Sequence, residues 1–278
     1  LCVGLDPHLT LIPKPFRVGS MSPTAPETAE SVEKFLLAVL DRIAGRVSSV
    51  KPEVAFFEQL GWRGIKVLEH IIATAKSHNL IVILDVKRGD ISSTTEAYAS
   101  AYLDAGAFAE ADAITVNPYL GLDSLEPFVT RCTNGGKGVF VLVKTSNGQN
   151  TTSFQDCKLQ DGRFLYEVVA QSLSKISSIL QGPITGWSSL GIVVGARFPR
   201  EAVELRKLLP KSLFLIPGYG AQGGTAEESL RGMVSGPMGL EGAVINSSRA
   251  ILYPSFTSQI STIADWERML DNAINKTT

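Results

Sequence analysis

The segment Asp85-Val86-Lys87-Arg88-Gly89-Asp90 places a carboxylate, an ammonium and a second carboxylate within six residues. It follows Leu80-Ile81-Val82-Ile83-Leu84, an apolar run that predicts a buried parallel strand. Side chains alternate along a strand, so Asp85 and Lys87 are expected on one side, with Asp90 just beyond, where the chain turns toward the next helix. A cation among carboxylates can stabilise developing negative charge or move a proton, and α/β proteins keep such chemistry at the carboxyl ends of parallel strands. A lone Asp-x-Lys pair is also a common surface feature of little worth. The weight of the reading therefore falls on the other strand ends.

Those ends carry residues of the same kind. A first strand ends in Asp6-Pro7, and a second carries Lys51 inside the otherwise apolar Val50-Lys51-Pro52. A lysine facing a barrel interior is costly unless paired, and the carboxylates ending the third strand are natural partners. A fifth strand ends in Lys144-Thr145-Ser146. The seventh runs into Pro217-Gly218-Tyr219-Gly220-Ala221-Gln222-Gly223-Gly224, and the eighth into Asn246-Ser247-Ser248-Arg249. Small residues let backbone N–H groups approach an anion, and Arg249 adds a charge-assisted fork, so these two segments read as a phosphate site. The loops after strands seven and eight are where such barrels bind phosphate. His8, His70 and His78 have no metal-ligand spacing, His70 and His78 read as surface residues, and no serine or cysteine sits beside a histidine base.

Eight strands are expected to position these residues: 1–6, 49–57, 79–88, 113–118, 138–146, 191–196, 213–219 and 242–247. Helical spacing separates them, clearest in Val32, Phe35, Leu36, Val39, Leu40 and Ile43, again in Leu165, Val168, Val169, Ile176 and Leu180, and more briefly in 200–209. A last helix around Ile263, Trp266 and Leu270 follows the eighth strand. Eight alternating units predict an α/β fold, a (β/α)8 TIM barrel, with residues 1–278 as a single domain. Two connections, 7–29 and 145–161, are far longer than usual and follow strands, so both belong to the carboxyl-end face, and the polar, glycine-containing second one is a candidate lid.

Composition narrows the class. The chain has 278 residues, 44% hydrophobic and 19% charged, with a net charge of -1, a profile with ample core and no basic stripe for nucleic acid. No apolar run approaches the roughly 20 residues of a membrane span, and no signal-peptide pattern is present. Cys2, Cys132 and Cys157 are odd in number, which fits reduced thiols and a cytoplasmic setting. Because the sequence opens inside a strand, an N-terminal segment is expected to be missing.

Taken together, these motifs resemble the orotidine 5′-monophosphate decarboxylases. Asp85-Val86-Lys87-Arg88-Gly89-Asp90-Ile91-Ser92-Ser93-Thr94 is similar to that family's Asp-x-Lys-x-x-Asp-Ile-x-x-Thr signature. Lys51-Pro52 with Phe56-Phe57-Glu58, Val116-Asn117-Pro118-Tyr119, Lys144-Thr145-Ser146-Asn147 and Val193-Val194-Gly195-Ala196 resemble its longer, type 2-like subgroup. Gly148 departs from it, standing where proline is expected after Ser-Asn. The resemblance implies cofactor-free and metal-free decarboxylation of orotidine 5′-monophosphate to UMP in pyrimidine biosynthesis. It implies a charged tetrad of Lys51, Asp85, Lys87 and Asp90, with Asp90 reaching the site of a second subunit in a homodimer. Asp6 and Thr94 would hold the ribose, Ser146 the pyrimidine edge, Gln222 base and phosphate, and Arg249 the phosphate. Two other readings stay open: a related sugar-phosphate decarboxylase using Mg²⁺, and a catalytically silent phosphate-binding barrel.

Overall fold

The computed structural model describes residues 1–146, 153–220, 223–237, 239–254 and 260–277. In chain order the elements are β1 (Cys2–Leu5), α1 (Pro26–Ile43), β2 (Ser49–Pro52), α2 (Ala55–Glu58), α3 (Trp62–Ser77), β3 (Ile81–Arg88), α4 (Ser92–Leu103), β4 (Ala113–Val116), α5 (Glu126–Gly135), β5 (Gly138–Lys144), α6 (Leu165–Ile179), β6 (Ser188–Val194), α7 (Pro199–Leu208), β7 (Ser212–Pro217), α8 (Ala226–Leu230), β8 (Val234–Gly236), β9 (Gly239–Glu241), β10 (Ala243–Ser247), α9 (Arg249–Leu252) and α10 (Ile263–Thr277). Eight strands close a barrel in the order β1-β10-β7-β6-β5-β4-β3-β2, and β8 and β9 form a separate antiparallel pair that the sequence did not signal. With helices between successive barrel strands, this is a (β/α)8 barrel. Most strand ends shift by one or two residues, and two boundaries differ more. The stretch 49–57 is strand only to Pro52, which has no N–H for the ladder, and then coils into α2. β6 begins at Ser188 rather than 191, its start hidden by the polar pair Ser188-Ser189 although Ser188 is buried.

The chain gathers into two compact units, one of Leu1–Val86, Phe108–Ala111 and Ser247–Thr278, the other of Lys87–Ala107 and Asp112–Asn246. In the first, β1 pairs in parallel with β2, and β2 with β3. The expected apolar stripe of α1, from Val32 to Ile43, is fully buried. Phe16 packs edge-on against Trp266 at 4.7 Å and Phe35 at 5.5 Å, so the long 7–29 connection is pinned beneath α10 by an aromatic anchor. Each such side chain removed from water contributes about 1.5–3 kcal/mol.

In the second unit, β4, β5, β6, β7 and β10 pair in parallel. Leu180 is buried as expected, but the buried face of α6 itself is Tyr166, Ala170, Leu173 and Ser177, one position away from the expected Leu165, Val168, Val169 and Ile176. Polar partners cause this rotation: the Ser177 hydroxyl lies 2.7 Å from that of Ser212, and the Tyr166 ring covers the Lys144 ammonium at 5.4 Å. Arg206 is also buried. Its guanidinium lies 3.8 Å from the centre of the Phe214 ring and donates to the carbonyls of Leu209, Ser212, Gly232 and Gly242, so one side chain ties the two ends of the β8–β9 excursion to the start of β7.

Candidate active site

Lys51 and Asp85 meet. The residues of β2 are buried along its whole length, so Lys51 arrives only 4% exposed, and its Nζ donates to Asp85 Oδ2 at 2.5 Å. Burial alone would push the ammonium toward its neutral form, but Asp85, Asp6 and Glu53 outweigh it and hold the Lys51 pKa above its ordinary value. The two strands are locked at this point by a Glu53–Asp85 bridge, with Val54 N–H donating to the Asp85 carbonyl at 3.3 Å.

Lys87 follows two residues along β3 and is exposed. Its φ is +46°, a left-handed conformation that a residue with a Cβ rarely adopts, so the alternation expected between Asp85 and Lys87 breaks here. Its N–H donates to Thr115 Oγ1 at 2.9 Å. Asp90 lies in the turn before α4, its Oδ1 accepting from the adjacent Ile91 N–H at 2.8 Å, and α4 then starts with Ser92, also at positive φ. Thr94 stands exposed in the first turn of α4.

At the ends of β1 and β10 the structure adds residues that sequence reasoning missed. The Tyr253 hydroxyl accepts from His8 N–H at 3.0 Å and donates to the Asp6 carbonyl at 3.1 Å, while Tyr253 N–H donates to the Arg249 carbonyl at 3.0 Å. Tyr253 therefore joins the segment that carries Asp6 to the one that carries Arg249. Burial lowers the His8 pKa, with Asp6 and Arg249 acting on it in opposite directions. Asp6 Oδ1, Ser247 Oγ and Ser248 Oγ are buried without a hydrogen-bond partner among the described residues. A tyrosine four residues after an arginine is too common a pairing to have signalled this.

Ser146 lies just past β5. Gly195 packs so closely on it that a Cβ there would come within 2.9 Å of Ser146 Cβ, and Gly195 N–H donates to the Lys144 carbonyl at 2.7 Å. Buried Lys144 pairs with Asp156 and sits 4.2 Å over the Phe198 ring, and Gln155 bonds both the N–H and the hydroxyl of Thr145. The two ends of the long connection after β5 are thus clasped together.

The glycine turn after β7 works differently from expectation. Gly218, Gly220 and Gly223 all have positive φ, but the N–H groups of Gly220, Gly223 and Gly224 donate to carbonyls of the turn itself. The glycines serve the turn's geometry, and these three donors do not cradle an anion. Gln222 and Gly148 lie outside the described residues. Among the described residues no group of three or more His, Cys, Asp or Glu could hold a metal ion. Cys2 and Cys132 are buried free thiols and Cys157 is exposed; His70 and His78 are paired with Glu33 and Asp41 on the outside of α1.

Fold and strand ends together define a (β/α)8-barrel protein with acid–base residues and an arginine at the carboxyl ends of its strands. The chain belongs to the orotidine 5′-phosphate decarboxylase / HUMPS family, whose model matches residues 1–255. It is 43% identical over 268 residues to a Rhodopirellula baltica protein named orotidine 5′-phosphate decarboxylase, across 95% of this chain and 87% of that one. A Clostridium tetani protein of the same name is 41% identical over 91% of this chain and 83% of its own length. The solved structure of Leishmania donovani OMP decarboxylase superposes with a TM-score of 0.70 at 31% identity, covering 99% of this chain and 92% of that one.

Proposed function

We propose that this chain releases CO₂ from orotidine 5′-monophosphate to give UMP, the closing step of pyrimidine nucleotide synthesis. The observation that carries the reading is the Lys51–Asp85 ion pair, sealed from water at a strand end two residues from Lys87. A buried ion pair is a weak source of stability, so its place here is best explained by the reaction. Loss of CO₂ from C6 leaves an electron pair in the plane of the ring, where no neighbouring carbonyl can accept it. A fixed cation must therefore stand where the charge develops. Lys87 fills that role and then passes a proton from its ammonium to C6, to be reprotonated from solvent. Asp85 favours the charged form of Lys51, and Asp90 completes the charged tetrad. Asp6 and Thr94 hold the ribose, Ser146 the pyrimidine edge, Gln222 base and phosphate, and Arg249 the phosphate, whose binding energy serves to organise the reacting end.

In this reading Asp90 serves the site of a second, identical subunit, and residues 1–278 act as one domain. The interleaving of the two compact units along the chain supports the single domain. No described helix is long and apolar enough to cross a membrane. The free cysteines support a cytoplasmic setting.

The test is CO₂ release from orotidine 5′-monophosphate with and without EDTA. Turnover unchanged by EDTA is expected. Loss of turnover on chelation would favour the Mg²⁺-dependent sugar-phosphate relative, and tight UMP binding without CO₂ release would favour a silent barrel.

A further inference from the structure

We infer that Thr115 is a positioning residue for Lys87, setting through its hydroxyl the backbone conformation from which the reacting ammonium is presented. The inference rests on the proton-donor role proposed for Lys87. A lysine at φ +46° sits in a sparsely populated region and stays there only when its surroundings over-determine it. β4 and the residues just past it supply that constraint from alternate positions. Thr115 Oγ1 accepts the Lys87 N–H at 2.9 Å, and Asn117 N–H donates to the Arg88 carbonyl at 2.8 Å. Gly89 then lies so close to Asn117 that a Cβ would fall 2.6 Å from its carbonyl oxygen. Asn117 is itself held, its Oδ1 accepting from Tyr119 N–H at 3.0 Å.

Thr115 is suited to the task. It is 1% exposed between buried Ile114 and Val116, and its β-branched side chain keeps few rotamers, so the hydroxyl has a fixed place. The three residues 87–89 are therefore gripped at two backbone hydrogen bonds and one close approach, all from residues 115–117. Without the first grip, φ at Lys87 can relax toward the extended region, and the side chain leaves the strand in another direction. A displacement of about 1 Å at a reacting group costs on the order of a hundredfold in rate. Substrate affinity should hardly change, since the proposed ribose, base and phosphate contacts come from other residues.

The experiment compares Thr115→Val, nearly the same shape without the hydroxyl, with Thr115→Ser, which keeps it. Thr115→Val is expected to lower kcat by roughly tenfold to a hundredfold, with KM and the Kd for UMP within about threefold of the parent. Thr115→Ser is expected to recover most of that loss. Combined with Lys87→Ala, Thr115→Val should add nothing, because it acts through the lysine. A folded Thr115→Val protein with kcat within about threefold of the parent overturns the inference, as does equal loss in the Val and Ser variants, or a fall in UMP affinity that matches the fall in kcat. Should the valine variant fail to fold, Gly89→Ala disturbs the same grip from the other side and is expected to show the same split of kcat from KM; its absence overturns the inference. Lys87→Ala separates the two levels. If that variant turns over normally, the proposed mechanism fails; if it is dead while Thr115→Val is unaffected, only the positioning role fails.

Discussion

The buried ion pair offers a perturbation in which stability and activity should come apart. At 2.5 Å, Lys51 and Asp85 attract by about 7 kcal/mol in an effective dielectric of 20, most of it offset by the cost of taking both charges out of water. Lys51→Ala removes the cation but leaves the carboxylate, whose side chain is 9% exposed. The expected loss is about 3–5 kcal/mol. For a chain of this size that lowers Tm by on the order of 10 °C. The pH dependence follows from the same change. Without Lys51 the charged form of Asp85 loses the ammonium that donates to it, so the variant's folded state takes up a proton on this carboxyl more readily than the parent's does. The deficit is then largest at neutral pH and shrinks as pH falls toward the unfolded carboxylate range. Lys51→Met with Asp85→Leu removes both charges and is expected to melt at or above the parent, while releasing no CO₂. Thermal melts across pH, together with CO₂ release, check both halves. A single Lys51→Ala variant melting within about 2 °C of the parent would refute the reasoning, as would a double variant no more stable than the single one.

Three further outcomes are expected. Arg249→Ala should raise KM strongly and lower kcat/KM by about 2–4 kcal/mol, with partial recovery on adding guanidinium ion, which replaces the deleted cation; a loss as large on a substrate lacking the phosphate would show that Arg249 does not act through the phosphate. Mixing Asp90→Ala with Lys87→Ala chains should restore activity to about a quarter of the parent, since about half the dimers are mixed and each has one intact site of two. No recovery after verified subunit exchange would place Asp90 within its own chain's site. Arg206→Met should cost more than about 3 kcal/mol in chemical denaturation, because it strips the donor from five backbone carbonyls, that of Pro210 included, around a buried group, and a loss below about 1 kcal/mol would mean that water replaces it freely.

Much of the architecture was legible in the linear chain because it rests on local periodicity. Apolar runs alternating with helical stripes announce eight strands and a barrel, and the stripe of α1 is buried as its spacing requires. The need of Lys51 for an anion was equally legible, since desolvating an ammonium is costly wherever the fold puts it. What only the tertiary structure decided depends on partners far along the chain. The rotation of α6 follows from Ser212 and Lys144, which pull Ser177 and Tyr166 inward against the apolar signal. Glycines 220, 223 and 224 read as anion-facing, yet their N–H groups close the turn, because hydrogen-bond direction is set by dihedral angles that composition leaves open. Tyr253 becomes a link between Asp6 and Arg249 only when residues 245 or more positions apart are folded together. The positive φ of Lys87 has the same origin. A strand pattern predicts extended backbone at residue 87, and only the grip of Thr115 and Asn117, 28 and more residues downstream, can hold it elsewhere, since a strained dihedral is maintained by contacts and never by the propensity of the residue that bears it.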